Sequence, residues 1–323
     1  MTKILLPLFL ICLIFSASPA RSEDKNALDY LPPDNFISGW EATGNEVFSH
    51  VGELGYLLGD DVDLLTEFNA IWYASETYSD FEKRLVIEIY EFDNVAGAYG
   101  YYQLANVNYI PEPTTPGVEV VRYGLPPQPQ FDTIRTVGTS FLEGWKDRFY
   151  FRVRSEDSEL PDQFLNVAIF LLGSLPGNAI PPDIIGILPR NDLVIGTERY
   201  VRGPVGLEIL LDSVRGDIFG VNERTWEAAA GEYRLGGGEY YLLVGVKYDE
   251  NGAADSAVES MQEHFQNDGW QTVIVPAMSS GAHPRAFQKD FCMAFWSHDN
   301  KLWLVWDVSS QEKLLDALHQ QDR

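Results

Sequence analysis

The hydrophobic pattern of this chain repeats, because two segments alternate apolar and polar residues and each leads into a helix of small residues. The first segment is Arg84–Phe92, followed by VAGAYGYYQLAN, and the second is Glu239–Tyr248, followed by AADSAVESMQEHF. Alternation with a period of two is typical of a β-strand, and the sequences that follow have the composition of helices. The pattern therefore predicts one strand–helix unit in each half of the chain.

A strand hairpin and a second helix follow each of these units. The corresponding pieces are the hairpins 141–153 and 292–308 and the helices 161–175 and 311–320. Matching pieces lie roughly 151 to 158 residues apart. The order strand, helix, hairpin, helix predicts an α+β protein of two tandem, structurally similar halves, each an antiparallel sheet with helices packed on one face.

The first 22 residues have the pattern of a secretory signal peptide. Lys3 precedes an unbroken apolar run of 12 residues, and Ser18-Pro19-Ala20 or Ala20-Arg21-Ser22 offers small residues at the spacing that a signal peptidase recognises. The run is short of the ~20 residues that cross a bilayer. Proline and glycine between positions 175 and 189 break any regular element and mark a boundary. We therefore expect a signal peptide over 1–22, a first half over 23–180 and a second half over 181–323.

Charge and cysteine content narrow the classes of function. The formal charge of the 323-residue chain is −25, and loss of Lys3 and Arg21 with the signal makes it −27. Such an acidic surface repels nucleic acid and anionic lipid, so we expect no nucleic-acid partner. The mature chain has one cysteine, Cys292, in the apolar strand sequence FCMAFW. We expect this thiol to be buried and inert, because apolar surroundings disfavour the reactive thiolate.

The sequence lacks the motifs of the common catalytic and cofactor sites. The histidines show no H-E-x-x-H or H-x-H spacing, and no G-x-S-x-G nucleophile turn occurs. The run Gly236-Gly237-Gly238 precedes a strand, which favours a hairpin turn over a phosphate site. Asp60, Asp61 and Asp63 form a candidate calcium site, but they lack the glycine and distal glutamate of an EF-hand loop, so a solvated acidic cluster is the alternative. No cofactor is predicted.

One polar face is the candidate ligand-binding site. Alternation places the side chains of five residues on the same side of the first sheet: Glu88, Tyr90, Arg148, Tyr150 and Arg152. Two arginines beside tyrosines are suited to receive a carboxylate or a glycan through bidentate and stacking contacts. The alternative is a cross-strand ladder of salt bridges on an exposed face.

Three short motifs are spread over the mature chain. They are Leu31-Pro32-Pro33 followed by Gly39-Trp40, Ala96-Gly97-Ala98-Tyr99-Gly100, and the string from Glu198 to Leu207 that contains Arg-Tyr-x-x-Gly-Pro-x-x-Leu. In these motifs the chain resembles an uncharacterised family of exported bacterial proteins, a DUF6599-like domain of unknown function. The resemblance implies an exported two-part α+β protein, and it brings no catalytic residues.

These observations together predict an acidic exported protein, periplasmic or extracellular, that binds an unknown protein or small-molecule ligand and is not an enzyme. The alternative is an enzyme of unrecognised type that uses scattered acidic residues, because an acid/base pair needs no local motif.

Overall fold

A computed structural model of the chain describes residues 25–59, 61–105, 120–124, 132–137, 141–155, 163–211, 218–219 and 226–322. The predicted signal peptide lies outside these residues and stays a prediction. In the first half the elements are β1 (Glu41–Ala42), β2 (Val47–His50), α1 (Gly55–Leu58), α2 (Asp61–Glu67), β3 (Ala70–Ser79), β4 (Arg84–Phe92), α3 (Val95–Leu104), β5 (Val120–Gly124), β6 (Asp132–Val137), β7 (Phe141–Lys146), β8 (Phe149–Ser155) and α4 (Gln163–Ser174).

The second half follows through a linker. Its elements are β9 (Arg199–Val201), α5 (Pro204–Leu211), β10 (Trp226–Leu235), β11 (Glu239–Tyr248), α6 (Ala253–Asn267), β12 (Gln271–Val273), β13 (Arg285–Gln288), β14 (Cys292–His298), β15 (Lys301–Val308) and α7 (Gln311–Gln321). Short 3-10 helices cover Ala27–Tyr30, Val51–Glu53 and Asp183–Ile187. The last of these lies just after the predicted boundary at residue 180, and two of its three isoleucines, Ile184 and Ile185, are buried.

The two halves share one sheet topology. The first sheet has the order β1-β3-β4-β8-β7-β6-β5, with β2 also paired to β3, and the second has the order β12-β13-β14-β15-β11-β10-β9. All of these pairings are antiparallel. From β3 the first sheet runs β3-β4-β8-β7-β6-β5, and from β10 the second sheet runs β10-β11-β15-β14-β13-β12. The six strands of each set occur in the same order as those of the other, both along the chain and across the sheet. The predicted α+β class and tandem arrangement are confirmed.

The β7–β8 and β14–β15 turns match the two halves residue by residue. Lys146 pairs with Phe149 across a two-residue turn, and His298 pairs with Lys301 across another. The first residue of each turn is an aspartate with a positive φ. Counting outward from these turns makes Arg152 equivalent to Leu304. The register of the neighbouring strands then gives the other equivalences: Tyr150 with Leu302, Tyr90 with Val246, Glu88 with Val244, and Glu143 with Phe295.

The distribution of the helices differs from the expected one, because each sheet carries a helix on both faces. In the first half α3 packs against Tyr90 and Tyr150, whereas α4 packs against the alternate residues of the same strands, including Ile89 and Phe151. In the second half α6 and α7 cover opposite faces in the same way. Alternation identifies which side chains share a face, but it does not tell which faces a later helix will cover.

The halves meet at α3, whose small residues allow close approach. A Cβ at Gly100 would overlap the ring of Phe68 and press on Tyr200 of β9. Gln103 of α3 accepts a hydrogen bond of 2.9 Å from Arg199 of the second half. Burial of α3 between the sheets therefore explains its glycines in packing terms.

A second contact joins α2 to α5. The Glu67 carboxylate accepts hydrogen bonds from the amides of Val205, at 2.7 Å, and Gly206, at 2.8 Å. These amides belong to the first turn of α5, where no carbonyl of the helix itself can accept their hydrogen bonds. Glu67 thus caps α5 from the other half of the molecule, and Gly203 leaves room for its carboxylate.

Candidate functional site

Four aromatic residues form a row across the first sheet on the face that α3 covers. Tyr73, Tyr90, Tyr150 and Trp145 are successive partners on β3, β4, β8 and β7. Tyr101 of α3 lies 4.9 Å from the Tyr150 ring, centroid to centroid. This face was expected to be exposed, and the structure shows instead that its aromatic row is buried. Burial raises the pKa of Tyr90, Tyr101 and Tyr150 above the ordinary value of a phenol.

A row of polar residues lies directly beside the aromatic row. Its members, again successive partners across the strands, are Ser75, Glu88, Arg152 and Glu143. Glu143 is fully buried and Glu88 is 6% exposed, whereas Arg152 is half-buried. Two carboxylates therefore flank one guanidinium in a place that is mostly removed from water.

Each carboxylate of this row is held by a tyrosine of the aromatic row. The Tyr150 hydroxyl donates a hydrogen bond of 2.6 Å to Glu143 Oε2, and the Tyr73 hydroxyl donates one of 3.1 Å to Glu88 Oε1. The guanidinium of Arg154, one row further on, lies 3.6 Å from Glu88 Oε2, measured from its Nε. The carboxylates are thus directed to partners other than Arg152.

The guanidinium of Arg152 is held in place at its Nε, whereas its terminal nitrogens, Nη1 and Nη2, are not. Its Nε donates a hydrogen bond of 3.1 Å to the Tyr150 hydroxyl. Its guanidinium carbon lies 5.6 Å from the centroid of the Phe141 ring and 5.9 Å from that of Tyr150. Within the described part of the chain, no hydrogen bond or salt bridge engages Nη1 or Nη2 of Arg152. The two terminal nitrogens of Arg152, which carry four N–H groups, are therefore without a partner among the described residues.

Arg148 does not join the other four predicted residues. It occupies the turn before β8, and its guanidinium lies 3.0 Å from Glu91 Oε1. Glu91 also accepts a hydrogen bond of 3.1 Å from the amide of Ala27, near the α4 side of the sheet. Glu88, Tyr90, Tyr150 and Arg152 are brought together as predicted, whereas Arg148 is on the opposite face.

Sequence reasoning missed Glu143 and Arg154. Glu143 lies opposite Arg152 in the β7–β8 hairpin, and the length of the hairpin turn contains that information. Arg154 has the same parity as Arg152, but the predicted strand ended at Val153, whereas β8 continues to Ser155. Both signals are present in the sequence, because a hairpin of known turn length has a fixed register.

The second half has apolar residues at the equivalent positions. Val244, Leu304 and Phe295 replace Glu88, Arg152 and Glu143, and all three are fully buried against α6. Phe265, in the last turns of α6, lies 6.0 Å from Phe295. The helices differ in length, since α3 has 10 residues and α6 has 15. The same fold is therefore built with an apolar row in one half and a charged row in the other.

The candidate calcium site and Cys292 lie outside this group of residues. Asp61 and Asp63 lie in the first turn of α2, where acidic side chains suit the helix dipole, and Asp60 lies outside the described residues. Among the residues that the structure describes, no group of three metal-ligating side chains occurs. Cys292 is buried, and this burial raises the pKa of its thiol.

Comparison with known proteins gives no family. No protein-family model and no curated protein matches the chain. Crystal form III of TP0453 aligns over 93% of this chain and 100% of its own, with 8% identity and a TM-score of 0.26. Crystal form I of TP0453 aligns over 93% and 99%, with 10% identity and a TM-score of 0.24. None of the helices in the described ranges is long and apolar enough to cross a membrane.

Proposed function

We propose that this is an exported, non-enzymatic binding protein that holds the anionic group of a small molecule or protein partner at Arg152 and Arg154. The observation that carries the proposal is the state of Arg152. Its Nε is anchored to Tyr150, and its two terminal nitrogens have no partner in the described structure. A guanidinium that is held in place loses little freedom when it binds an oxyanion through both donors.

Arg154 extends the site toward solvent. It lies two residues beyond Arg152 on the same face of β8, a separation of roughly 7 Å along a strand. Its side chain is 48% exposed, and its contact with Glu88 is long at 3.6 Å. An exposed ion pair of this kind contributes little to stability, so Arg154 is available to a ligand at small cost.

The second half supports a functional reason for the charges. Moving charged groups out of water is costly, and a well-packed apolar row of similar volume is often as stable or more so. Val244, Leu304 and Phe295 fill the equivalent row of the second sheet. The fold itself therefore does not need Glu88, Arg152 and Glu143, and a binding role accounts for their presence.

Export is a further part of the proposal. It rests on the signal-peptide pattern of residues 1–22 and on the resemblance to exported bacterial proteins. We place the protein in the periplasm or outside the cell.

Titration with acetate tests binding at Arg152. In protein labelled with 15N-arginine, the Nε–H resonance of Arg152 is identified by its loss in Arg152→Lys. We expect acetate, and not chloride at equal ionic strength, to shift this resonance saturably. Arg234 of β10 is an exposed arginine in the second half, and Arg234→Lys is the matched control that should leave the shift unchanged. An Arg152 resonance that responds equally to chloride and acetate, or to neither, would refute the proposal.

A further inference from the structure

We infer that the ligand held at Arg152 carries a neutral hydrogen-bond donor, such as a hydroxyl, next to its anionic group, and that this donor binds Glu88 Oε2. The inference rests on the proposed function and adds the chemical class of the ligand. It depends on three observations: a buried oxygen of Glu88 that accepts no hydrogen bond, the lack of an ion pair between Glu88 and Arg152, and the arginines that surround Glu88.

One carboxylate oxygen of Glu88 is buried without a hydrogen-bond donor. Oε1 accepts the hydrogen bond of the Tyr73 hydroxyl, whereas Oε2 is closed to solvent and accepts none from the residues that the structure describes. Nε of Arg154 lies 3.6 Å from Oε2, which is an ion pair but too long for a hydrogen bond. Buried carboxylate oxygens normally accept hydrogen bonds, because their removal from water is costly without them. Glu88 Oε2 can therefore accept a donor from a ligand.

Glu88 and Arg152 lie opposite each other but do not pair. They are direct partners on β4 and β8, a position in which opposite charges attract. Nε of Arg152 is bound to the Tyr150 hydroxyl instead, and no ion pair joins Arg152 to Glu88. Two donor nitrogens thus lie on one strand and an unused acceptor on the next, roughly 5 Å away. A ligand that meets both needs an anionic group and a donor on adjacent atoms.

The Arg154 side chain lies against Glu88 Oε2 and is exposed enough to move. It is 48% exposed, and an ion pair of this length and exposure contributes little to stability. When Arg154 moves aside, a ligand hydroxyl can take its place at Oε2. The Arg154 guanidinium is then available to the anionic group of the same ligand.

The surrounding arginines favour a neutral donor over an ammonium group. From β4 to β5, the register places in one row Glu88, Arg152, Glu143, Arg135 and Arg122. Arg154 lies beside Glu88 as well, so arginines outnumber glutamates in this group. An ammonium at Glu88 Oε2 would be repelled by the neighbouring guanidinium groups, whereas a hydroxyl donates the same hydrogen bond without that repulsion.

Small carboxylates that differ in one group test the inference. Acetate, glycolate, methoxyacetate and glycine are titrated at neutral pH and equal ionic strength, and the Arg152 Nε–H resonance is followed. Glycolate adds a hydroxyl to acetate, and methoxyacetate blocks that hydroxyl with a methyl group. We expect glycolate to bind about tenfold more tightly than acetate, because it gains a hydrogen bond to a buried carboxylate. Methoxyacetate and glycine should bind no more tightly than acetate.

The variant Glu88→Gln tests whether Glu88 is the acceptor. The Tyr73 hydroxyl donates to the site of Oε1, so the amide oxygen should keep that bond and the NH2 group should occupy the site of Oε2. Acetate should then bind more tightly, because a negative charge is lost, and the preference for glycolate should fall to about twofold or less. Glu76 is a buried glutamate on the opposite face of β3, and Glu76→Gln is the matched control that should keep the native ratio.

The outcomes separate the inference from the proposal on which it rests. If glycolate and acetate shift Arg152 with equal affinity, the donor inference is wrong and the anion-binding function stands. If methoxyacetate matches glycolate, if glycine binds more tightly than glycolate, or if Glu88→Gln keeps the native ratio, the inference is also wrong. If no carboxylate shifts Arg152, both the inference and the proposed function are wrong. The four titrations use the native protein, so they decide the matter even if Glu88→Gln does not fold.

Discussion

Arg152 and Leu304 occupy the same position in two sheets of identical strand order. Leu304 is fully buried beneath α6, whereas Arg152 is half-buried and its two terminal nitrogens have no partner among the residues that the structure describes. An apolar residue at this position stabilises the sheet by burial, and a guanidinium there does so less well. The difference between these two residues is the basis of our functional proposal.

The Tyr150 hydroxyl should be needed to position Arg152. In Tyr150→Phe the ring remains, but Arg152 Nε loses its acceptor and the buried Glu143 loses a donor. We expect the free energy of unfolding to fall by about 1–3 kcal/mol and acetate binding to weaken. Urea unfolding and the arginine NMR titration measure the two effects.

Tyr240 provides the control for this substitution. It is 45% exposed on β11, and Tyr240→Phe should change stability by less than about 0.5 kcal/mol. Native stability together with native acetate affinity in Tyr150→Phe would contradict the positioning role.

Gly203 should be required for the contact between the halves. A Cβ at this position would overlap the Glu67 carboxylate, which is held by the amides of Val205 and Gly206. Gly203→Ala must displace that carboxylate from the start of α5, so we expect a loss of about 1–3 kcal/mol in urea unfolding. Gly236→Ala adds the same methyl group in open space and is the control. Equal stability of the two variants would show that the Glu67 cap is unimportant.

Alkaline pH should destabilise the protein through its buried tyrosines. Burial raises the pKa of Tyr90, Tyr101 and Tyr150 above the value of about 10 that they have in the unfolded chain. Above pH ~10 the unfolded chain therefore binds fewer protons than the folded protein, and the free energy of unfolding falls as pH rises. The stabilising contribution is fully present below about pH 10.

Urea unfolding at pH 9 and pH 11 measures this effect. Each buried tyrosine adds a slope approaching about 1.4 kcal/mol per pH unit, and Tyr101→Phe should remove the share of one group. Equal unfolding free energies at the two pH values would disprove the burial of these phenols.

The duplication was predictable because it depends on local patterns. Alternating strands, a short polar turn and an amphipathic helix each leave a signal in the sequence, and the same signals recur in the same order. The cover of α3 over the polar face was not predictable, because alternation says nothing about which later element packs on a face. The tyrosines of α3 fit a core helix equally well against either side of the sheet.

The error at Arg148 has a local physical cause. Alternation assigns faces only inside a strand, and Arg148 belongs to a two-residue turn between Lys146 and Phe149. Asp147 in that turn has a φ of 53°, so the chain direction changes before β8 begins. Arg148 consequently reaches Glu91 on the α4 side, and Arg154, inside the strand, takes its place at the site.

The most direct test of the binding site replaces the three charged residues of the first sheet with the apolar residues found at the equivalent positions of the second sheet. The triple variant Glu88→Val, Arg152→Leu, Glu143→Phe should unfold cooperatively, with a free energy within about 2 kcal/mol of the native protein, because loss of the buried charges offsets two tyrosine hydroxyls left without acceptors. Its acetate binding, followed by thermal shift against chloride, should be abolished. A triple variant that does not fold would contradict the claim that the fold does not need these charges, and one that still binds acetate would contradict the claim that they form the site.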